Sequence, residues 1–435
     1  MSLATPPFHA SCSGESGGMR AVARCGLLAA PPYSQDETGL FRPYLSAAHK
    51  ATLATVALWM QQAGMSVRQD AAGNIIGRYE GIRPHAPALL IGSHLDSVRN
   101  AGSYDGPLGV MLGLECVAYF AACKQRFPFA LEVIGFGDEE GSRFPVSMLT
   151  SRAVAGLLPH APQDMVDTQG VSLSQALEQF GLSLPNFVQA ARPPQDIVAY
   201  LEAHIEQGPV LEAEGKAVGV VTGIAAQYRF LVRITGFAGH AGTMPMSMRQ
   251  DALAAAAEAI LIIEQTAQQG AQDLVATVGS LSVSPGAPNV VPGDVSFTLD
   301  VRAGTEAVRN AAVEQIRMAL AALARRRAVT VDIVQKQDLA SAPCDEALTQ
   351  HLGDAVRQVT QEPARQLVSG AGHDAMVMAA LAPMCMLFVR CEKGISHNPA
   401  EAVNSADVET ALQVMVRFIE NYAGSFGTKT EQMAG

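Results

Sequence analysis

Apolar and polar residues alternate with two different periods over the first third of the chain. Residues 47–64 and 109–122 repeat apolar side chains at helical spacing. Short apolar runs bounded by turn residues cover 74–79, 88–91 and 130–136, which is the pattern of buried strands. Strands that alternate with helices in this way predict an α/β fold with a mainly parallel sheet flanked by helices.

The pattern changes after about residue 215. Strand patterns then alternate with two long helical patterns, and they cover 218–222, 228–235, 275–281, 295–302 and 329–335. The helical patterns span 248–268 and 305–326. The resulting order β-β-α-β-β-α-β predicts a compact α+β domain inserted into the first one. We therefore predict one domain made of residues 1–214 and 336–435, and an inserted domain made of residues 215–335.

Composition narrows the class of protein. The chain has 435 residues, of which 49% are hydrophobic and 16% are charged, as is typical of a soluble protein with a large core. We expect no membrane span, because no run reaches the roughly 18 apolar residues that a span requires. The net charge of −11 argues against a nucleic-acid partner, since phosphates attract basic surfaces.

The cysteines and the N-terminus bear on the compartment. The seven cysteines are scattered and form no CxxC pair, which favours a reducing environment over a disulfide framework. The N-terminus lacks a basic start followed by an apolar core, so we expect no signal peptide and a cytoplasmic location. We also expect the first 30 residues or so, which are rich in Ser, Gly and Ala, to be poorly ordered.

Two groups of candidate ligands follow predicted strands. His94 follows the strand at 88–91, and Glu139 with Glu140 follows the strand at 130–136, so both groups should meet at the carboxyl edge of the sheet. Asp96 can hydrogen-bond the ring of His94, and the carboxylate of Asp105 could bridge two cations. Alternatively, these residues are a strand-end histidine beside a turn aspartate.

The acidic run at 138–140 also allows two interpretations. Three adjacent carboxylates repel one another unless water or cations neutralise them. The run is therefore either a solvated acidic turn or a site in which Glu140 binds metal while Glu139 acts as general base. His204 and His397 each lie at an element boundary with a proline within five residues. Taken singly, such histidines are more often structural than functional.

Several longer motifs change this balance. They are GSHLDSVRNAGSYDGPLGV, GFGDEEGSRF, EAHIEQGPVLE, GHAGTMPMSMRQDA, PNVVPG, SGAGHDA and MLFVRCEKGISHNPAE. With these motifs the chain resembles the carbamoyl-cleaving branch of the M20 metallopeptidase clan, from about residue 70 to about residue 420. That branch includes N-carbamoyl-L-amino acid hydrolases, β-ureidopropionase and allantoate amidohydrolase.

The resemblance implies a site that holds two divalent metal ions. It assigns His94 and His204 to one ion and Glu140 and His397 to the other, with Asp105 as the bridge. Glu139 would be the general base, and Asp96 the partner of His94. Histidines mixed with carboxylates suit Zn²⁺, Mn²⁺, Co²⁺ or Ni²⁺.

The resemblance also assigns roles to the inserted domain. It implies a lid that pairs two subunits into a homodimer, in which His240 reaches the partner's active site and stabilises the oxyanion. Asn289 and Arg302 would bind the substrate carboxylate, and Gln207 would contact the ureido amide. We interpret His373 and Asp374 as residues behind the metal ligands rather than as ligands.

The implied substrate is a small carboxylate that carries a ureido group. The motifs favour allantoate first, N-carbamoyl-L-amino acids second and N-carbamoyl-β-alanine third. Two other functions stay open at this point. One is a dipeptidase or aminopeptidase of the same clan, and the other is a metal-binding protein without catalysis.

Overall fold

The computed structural model describes residues 16–37, 39–163 and 165–433, with side chains up to residue 426. It contains two compact units. The first consists of Met1–Thr222, Cys344–Leu367 and His373–Gly435, and the second consists of Gly223–Pro343 and Val368–Gly372.

Eleven α-helices occur in the described residues. They are α1 Gly17–Leu28, α2 Ala47–Gln62, α3 Pro107–Ala122, α4 Leu149–Val154, α5 Leu173–Phe180, α6 Val210–Ala213, α7 Ala252–Gln268, α8 Glu306–Arg327, α9 Glu346–Thr360, α10 Asp374–Met378 and α11 Ser405–Met433. Short 3-10 helices cover Leu184–Ala190, Pro194–Asp196, Met246–Met248 and Glu392–Gly394. No helix among these residues is long and apolar enough to cross a membrane.

Sixteen strands accompany them in the same part of the chain. They are β1 Ser66–Gln69, β2 Ile75–Tyr79, β3 Ala88–His94, β4 Ala130–Phe136, β5 Ile197–Ile205, β6 Val218–Ile224, β7 Ala226–Thr235, β8 Gly239–His240, β9 Val275–Thr277, β10 Leu281–Ser284, β11 Val290–Val291, β12 Asp294–Ala303, β13 Thr330–Leu339, β14 Ala342–Pro343, β15 Gln366–Ser369 and β16 Met384–Val389.

The first unit is built on a large mixed sheet with the strand order β1-β2-β4-β3-β5-β16-β6. Its four central strands, β4, β3, β5 and β16, are mutually parallel. Every residue of β3 and β4 is buried, because helices cover both faces of a parallel sheet and both faces must be apolar. The predicted α/β fold with a mainly parallel sheet is therefore confirmed.

Strand β5 and helix α1 are among the elements of this unit that were not predicted. The hydrophobic pattern did not predict β5, because Glu202 and His204 interrupt the apolar run with which the strand begins. Helix α1 lies within the 30 residues that we expected to be poorly ordered, so that prediction is wrong for Gly17–Leu28. The helix buries Ala21, Cys25 and Leu28, while residues 1–15 lie outside the described part of the chain.

The second unit is an antiparallel sheet with two helices on one face. Its strand order is β10-β12-β7-β13, and β9 also pairs with β12. Phe230, Val232 and Ile234 of β7 point into a core shared with α7 and α8, while the residues between them are exposed. The run predicted as one strand at 275–281 forms two short strands. Helix α7 starts four residues later than predicted, because the Asp251 side chain caps it by accepting from the N–H groups of Leu253 and Ala254.

The boundaries of this unit lie about eight residues later than the predicted 215–335. At the start, residues 218–221 pair with β16, which places them in the large sheet. At the end, β13 continues beyond 335 to Leu339 across a bulge. The short segment Val368–Gly372 also belongs to the second unit, although it is remote in sequence.

Candidate metal centre

His94 and Asp105 meet at the carboxyl end of β3. His94 is the last residue of that strand, and Asp105 lies just before α3. Between Asp105 and the helix, Gly106 adopts a left-handed φ of +87°. A Cβ at this position would come within 2.5 Å of the His94 ring. Only glycine therefore allows the chain to pass this close to the histidine.

The Asp105 carboxylate lies among three histidines. Its Oδ1 atom is 3.1 Å from Nε2 of His204 and 3.7 Å from Nε2 of His94. Its Oδ2 atom is 3.1 Å from Nε2 of His397, which itself lies 3.5 Å from Oε1 of Glu140. The two oxygens of Asp105 thus face two different groups of potential ligands, His94–Asp105–His204 and Asp105–Glu140–His397.

The ring orientation of two histidines leaves Nε2 available for a cation. Nδ1 of His204 lies 2.9 Å from the carbonyl oxygen of Ile205, and Nδ1 of His94 lies 3.1 Å from that of Asp96. A carbonyl oxygen only accepts, so each Nδ1 carries a proton and each ring turns its Nε2 towards Asp105, where a deprotonated Nε2 would offer its lone pair to a cation. Nε2 of His204 and Oε1 of Glu140 are buried and face other potential ligands, Oδ1 of Asp105 at 3.1 Å and Nε2 of His397 at 3.5 Å. Such atoms suit a bound cation.

Asp96 organises the acidic run next to these ligands. It is fully buried, and its two oxygens accept hydrogen bonds from the backbone N–H groups of Glu139 and Glu140, at 2.9 and 3.2 Å. Glu139 is itself 8% exposed and shares a potential ligand group with His94 and Glu140. The turn after β4 is therefore held against the end of β3, rather than being a solvated loop.

The electrostatics of the site favour cations. Burial would raise the pKa of Asp105, but interactions with His204, His397 and His94 hold it well below the usual range. Burial and the negative charge of Asp105 raise the pKa of Glu140 to about 7. The interaction with Asp105 raises the pKa of His397 to about 9. The same carboxylates that keep protons on these groups would attract divalent ions in their place.

Comparison with known proteins identifies the family. A family model described as Peptidase family M20/M25/M40 matches residues 90–421. The chain belongs to peptidase family M20/M25/M40. The family that the sequence motifs predicted is thereby confirmed.

Two relatives and one solved structure place the chain within family M20/M25/M40. It is 42% identical over 381 residues to an N-carbamoyl-L-amino acid amidohydrolase of Geobacillus stearothermophilus, covering 88% of this chain and 93% of that protein. It is 38% identical over 416 residues to allantoate deiminase 1 of Glycine max, covering 89% and 86%. An amidase of the hydantoinase/carbamoylase family from Burkholderia multivorans matches with a TM-score of 0.85 and 32% identity, covering 94% and 99%.

Three polar residues, Gln207, Ser396 and Glu401, form hydrogen bonds around Asp105 in this M20/M25/M40 centre. Gln207, which was predicted to contact the ureido amide, donates its amide N–H groups to Oδ2 of Asp105 at 3.0 Å and to the hydroxyl of Ser396 at 3.1 Å. That hydroxyl lies 2.6 Å from Oδ2 of Asp105 and 3.2 Å from Glu401. Ser396 and Glu401 both lie in the quoted motif around His397, but the spacing alone gave them no role.

A second buried layer lies behind His204. The ring of His373 packs edge-on against the His204 ring at 4.4 Å, and Glu202 joins the two histidines in a potential ligand group. Glu202 accepts hydrogen bonds from Ser93, from Tyr200 and from a backbone N–H group. Burial lowers the pKa of His373 well below its ordinary value, which keeps the ring neutral.

The remaining predicted residues lie in the second unit. His240 and Asn289 are both exposed and neighbour each other, since β8 pairs with β11 and the N–H of Ala241 donates to the carbonyl of Asn289. Arg302 lies on β12, where its guanidinium donates to both oxygens of Asp300, at 2.8 and 3.1 Å. It also donates to the carbonyl of Gly370 at 2.6 Å.

Proposed function

We propose that this chain is a two-metal amidohydrolase that cleaves the ureido C–N bond of a small carboxylate substrate. The observation that carries the proposal is the pair of potential ligand groups that share Asp105. One ion would be held by His94 and His204, and the other by Glu140 and His397. The buried Nε2 of His204 and Oε1 of Glu140, each of which faces another predicted ligand, support this fit.

The chemistry of a ureido group explains why such a centre is needed. Two nitrogens donate electrons into the ureido carbonyl, so it is a poor electrophile. When bound, divalent cations lower the pKa of water and polarise a carbonyl oxygen. Zn²⁺ and Mn²⁺ suit a mixed histidine and carboxylate site, and Co²⁺ and Ni²⁺ are also compatible with it.

Glu139 is the group of this chain that would move the proton. Burial raises its pKa well above that of a free glutamate, and the nearby Glu140 adds to this effect. A carboxylate with a raised pKa accepts a proton from the attacking water and can return it to the leaving nitrogen. Asp96 fixes its backbone through the hydrogen bond to the Glu139 N–H. The carbamate that leaves would decompose to ammonia and carbon dioxide.

Arg302 would bind the substrate carboxylate with one edge of its guanidinium. Asp300 occupies the edge formed by Nε and one terminal nitrogen, and the carbonyl of Gly370 takes a proton of the other. Beyond these three hydrogen bonds, each terminal nitrogen has one further N–H group, and the two could pair with a carboxylate. The ion pair with Asp300 thus fixes the orientation in which Arg302 presents these donors.

The geometry of the second unit supports a homodimer in which His240 serves the partner's site. Arg302 lies eight residues along β12 from Asp294, a distance of about 26 Å at the usual strand rise. The segment that carries His240 begins beside the other end of β12, near Asp294, where the N–H of Gly236 donates to the carbonyl of Gly293. One small substrate is therefore poorly placed to contact both residues of one chain.

The surface around His240 is also apolar. Phe237 is 62% exposed, Met246 is 77% exposed and Met248 is 69% exposed. Apolar side chains clustered around one exposed turn are typical of a surface that another protein covers. This cluster agrees with the proposal that the turn enters a second subunit.

A substrate panel tests the proposal. We propose allantoate as first choice, and the relatives also support N-carbamoyl-L-amino acids, because both activities occur among proteins about 40% identical to this chain. The Mn²⁺-loaded protein is incubated with allantoate, an N-carbamoyl-L-amino acid, N-carbamoyl-β-alanine and a dipeptide, and ammonia and free amine are measured. Ammonia from at least one ureide is expected. Release of amine from the dipeptide alone would favour a peptidase, and turnover of no compound would favour a non-catalytic metal-binding protein.

A further inference from the structure

Glu401 is a buried carboxylate that the proposed reaction does not use. It is 6% exposed and lies four residues after His397. Its neighbour in space is the segment around Asp105, which is remote in sequence: Ser396 and Asp105 are 291 residues apart. Glu401 therefore lies where two distant segments must meet if Asp105 and His397 are to bind the same ion.

The carboxylate of Glu401 contacts both segments. Its Oε1 atom accepts hydrogen bonds from the backbone N–H groups of Tyr104 and Asp105, at 2.7 and 3.1 Å. Its Oε2 atom lies 3.2 Å from the hydroxyl of Ser396, which also lies 2.6 Å from Oδ2 of Asp105. One side chain thus fixes the backbone of Asp105 and the residue that precedes His397.

The backbone around Glu401 is arranged for this contact. A Cβ at Gly102 would lie 2.6 Å from Oε1 of Glu401, so only glycine lets the 102–105 segment approach this closely. On the other side, His397 has a left-handed φ of +53°, and the N–H of Glu401 donates to the carbonyl of Asn398 at 3.0 Å. This tight turn fixes Glu401 relative to His397.

The two histidines of the other ligand group, His94 and His204, need no such connection. His94 ends β3 and His204 lies in β5, and these neighbouring strands hold both histidines directly. His397 follows a 3-10 turn and is half exposed. It is therefore the ligand whose position depends most on side-chain contacts.

We propose that Glu401 is a positioning residue that holds Asp105 and His397 at the separation needed to bind one cation. The inference rests on the two-metal site of the proposed function, but not on the ureido substrate. It predicts that loss of Glu401 weakens the metal-binding step that uses Glu140 and His397 more than the step that uses His94 and His204, because Asp105 belongs to both groups but His397 belongs to only one. Outer contacts of this kind typically change metal affinity by about 10–100-fold.

Binding of Mn²⁺ to the metal-stripped full chain provides the measurement, with free Mn²⁺ followed by electron paramagnetic resonance. For Glu401→Ala we expect one of two dissociation constants to rise by about 10–100-fold. The other should rise by a clearly smaller factor, because only Asp105 of its ligands depends on Glu401. Glu401→Gln keeps an oxygen for the N–H groups of Tyr104 and Asp105, so its constants should stay near those of the wild type. Gly102→Ala pushes Glu401 away and should reproduce the loss without removing the carboxylate.

Glu132→Ala is the matched control. Glu132 is an equally buried carboxylate on β4 whose partners are Arg78 and Arg192, and its loss should leave both constants unchanged. Circular dichroism and thermal unfolding identify any variant that does not fold. The double variant His397→Ala/Glu401→Ala should bind Mn²⁺ no more weakly than His397→Ala alone, because both changes affect the same ion.

Several results would overturn the inference. They are unchanged binding in both folded Glu401→Ala and Gly102→Ala, equal weakening of both steps, additive losses in the double variant, or a Glu401→Gln variant as weak as Glu401→Ala. A protein that binds two Mn²⁺ ions with this dependence on Glu401 but hydrolyses no ureide would refute the proposed substrate class only. Hydrolysis of a ureide with binding unaffected by Glu401 would refute this inference only.

Discussion

At the scale of single residues, Asp105 and Glu139 divide the tasks of the centre. Each oxygen of Asp105 faces a different pair of predicted ligands, so this carboxylate is placed as a bridge. Glu139 lies beside the ligands with a raised pKa, as a proton acceptor requires. The motifs predicted both residues. They did not predict the hydroxyl of Ser396 or the carboxylate of Glu401, because no local pattern shows that a side chain will meet a segment almost three hundred residues away.

Single Glu→Gln substitutions at two adjacent positions should distinguish the general base, Glu139, from the metal ligand, Glu140. Glu139→Gln is expected to keep the bound metal and to lower kcat by about 10²–10⁴-fold, because only the proton acceptor is lost. Glu140→Gln should instead lower the metal content, because it removes a charged ligand. Metal analysis and steady-state kinetics on both variants provide the test. Equal turnover by Glu139→Gln and the wild type would exclude Glu139 as the base.

At the scale of elements, helix α1 shows where composition misled the prediction. Its sequence is rich in Gly and Ala, yet it buries Cys25 and Leu28 and joins the first unit by ion pairs. Arg20 and Arg24 both pair with Glu115 of α3, which is 1% exposed on its side chain. A buried carboxylate of this kind requires its partners, so α1 is part of the folded core.

Two neighbouring leucines test the contribution of α1 to stability. Leu28 is fully buried and Leu27 is 51% exposed on the same helix. We expect Leu28→Ala to lower the free energy of unfolding by about 2–4 kcal/mol, since the change leaves a cavity. Leu27→Ala should change it by less than about 0.5 kcal/mol. Urea denaturation of the apoprotein measures both values, and equal values would show that α1 is not packed as described.

At the scale of the whole molecule, the proposed homodimer makes each active site depend on two chains. If His240 acts in trans, Glu139 and His240 of one site come from different subunits. An intact site would then need Glu139 from one chain and His240 from the other. The exposed apolar side chains of Phe237 and Met246 are consistent with a turn that another subunit covers.

Mixing two inactive variants tests this arrangement. His240→Ala and Glu139→Gln should each be nearly inactive alone. After subunit exchange at equal concentrations, activity should return to about a quarter of the wild-type value, because half of the dimers are mixed and each of these has one intact site. Native mass spectrometry, which separates the two homodimers from the mixed dimer by mass, serves as the control for exchange. Absence of recovery despite proven exchange would place His240 and Glu139 in the same chain's site.

The sequence by itself determined the long periodic elements and the parallel sheet, because burial of one or both faces imposes a local hydrophobic period. Its motifs, rather than its periodicity, predicted the family. It also predicted His94 and Glu140 at one edge, since both follow strands. Only the tertiary structure decided that β5 carries His204, and that Glu401 connects the segments of Asp105 and His397. These features depend on strand order and on contacts between distant segments. Local periodicity contains no information about either.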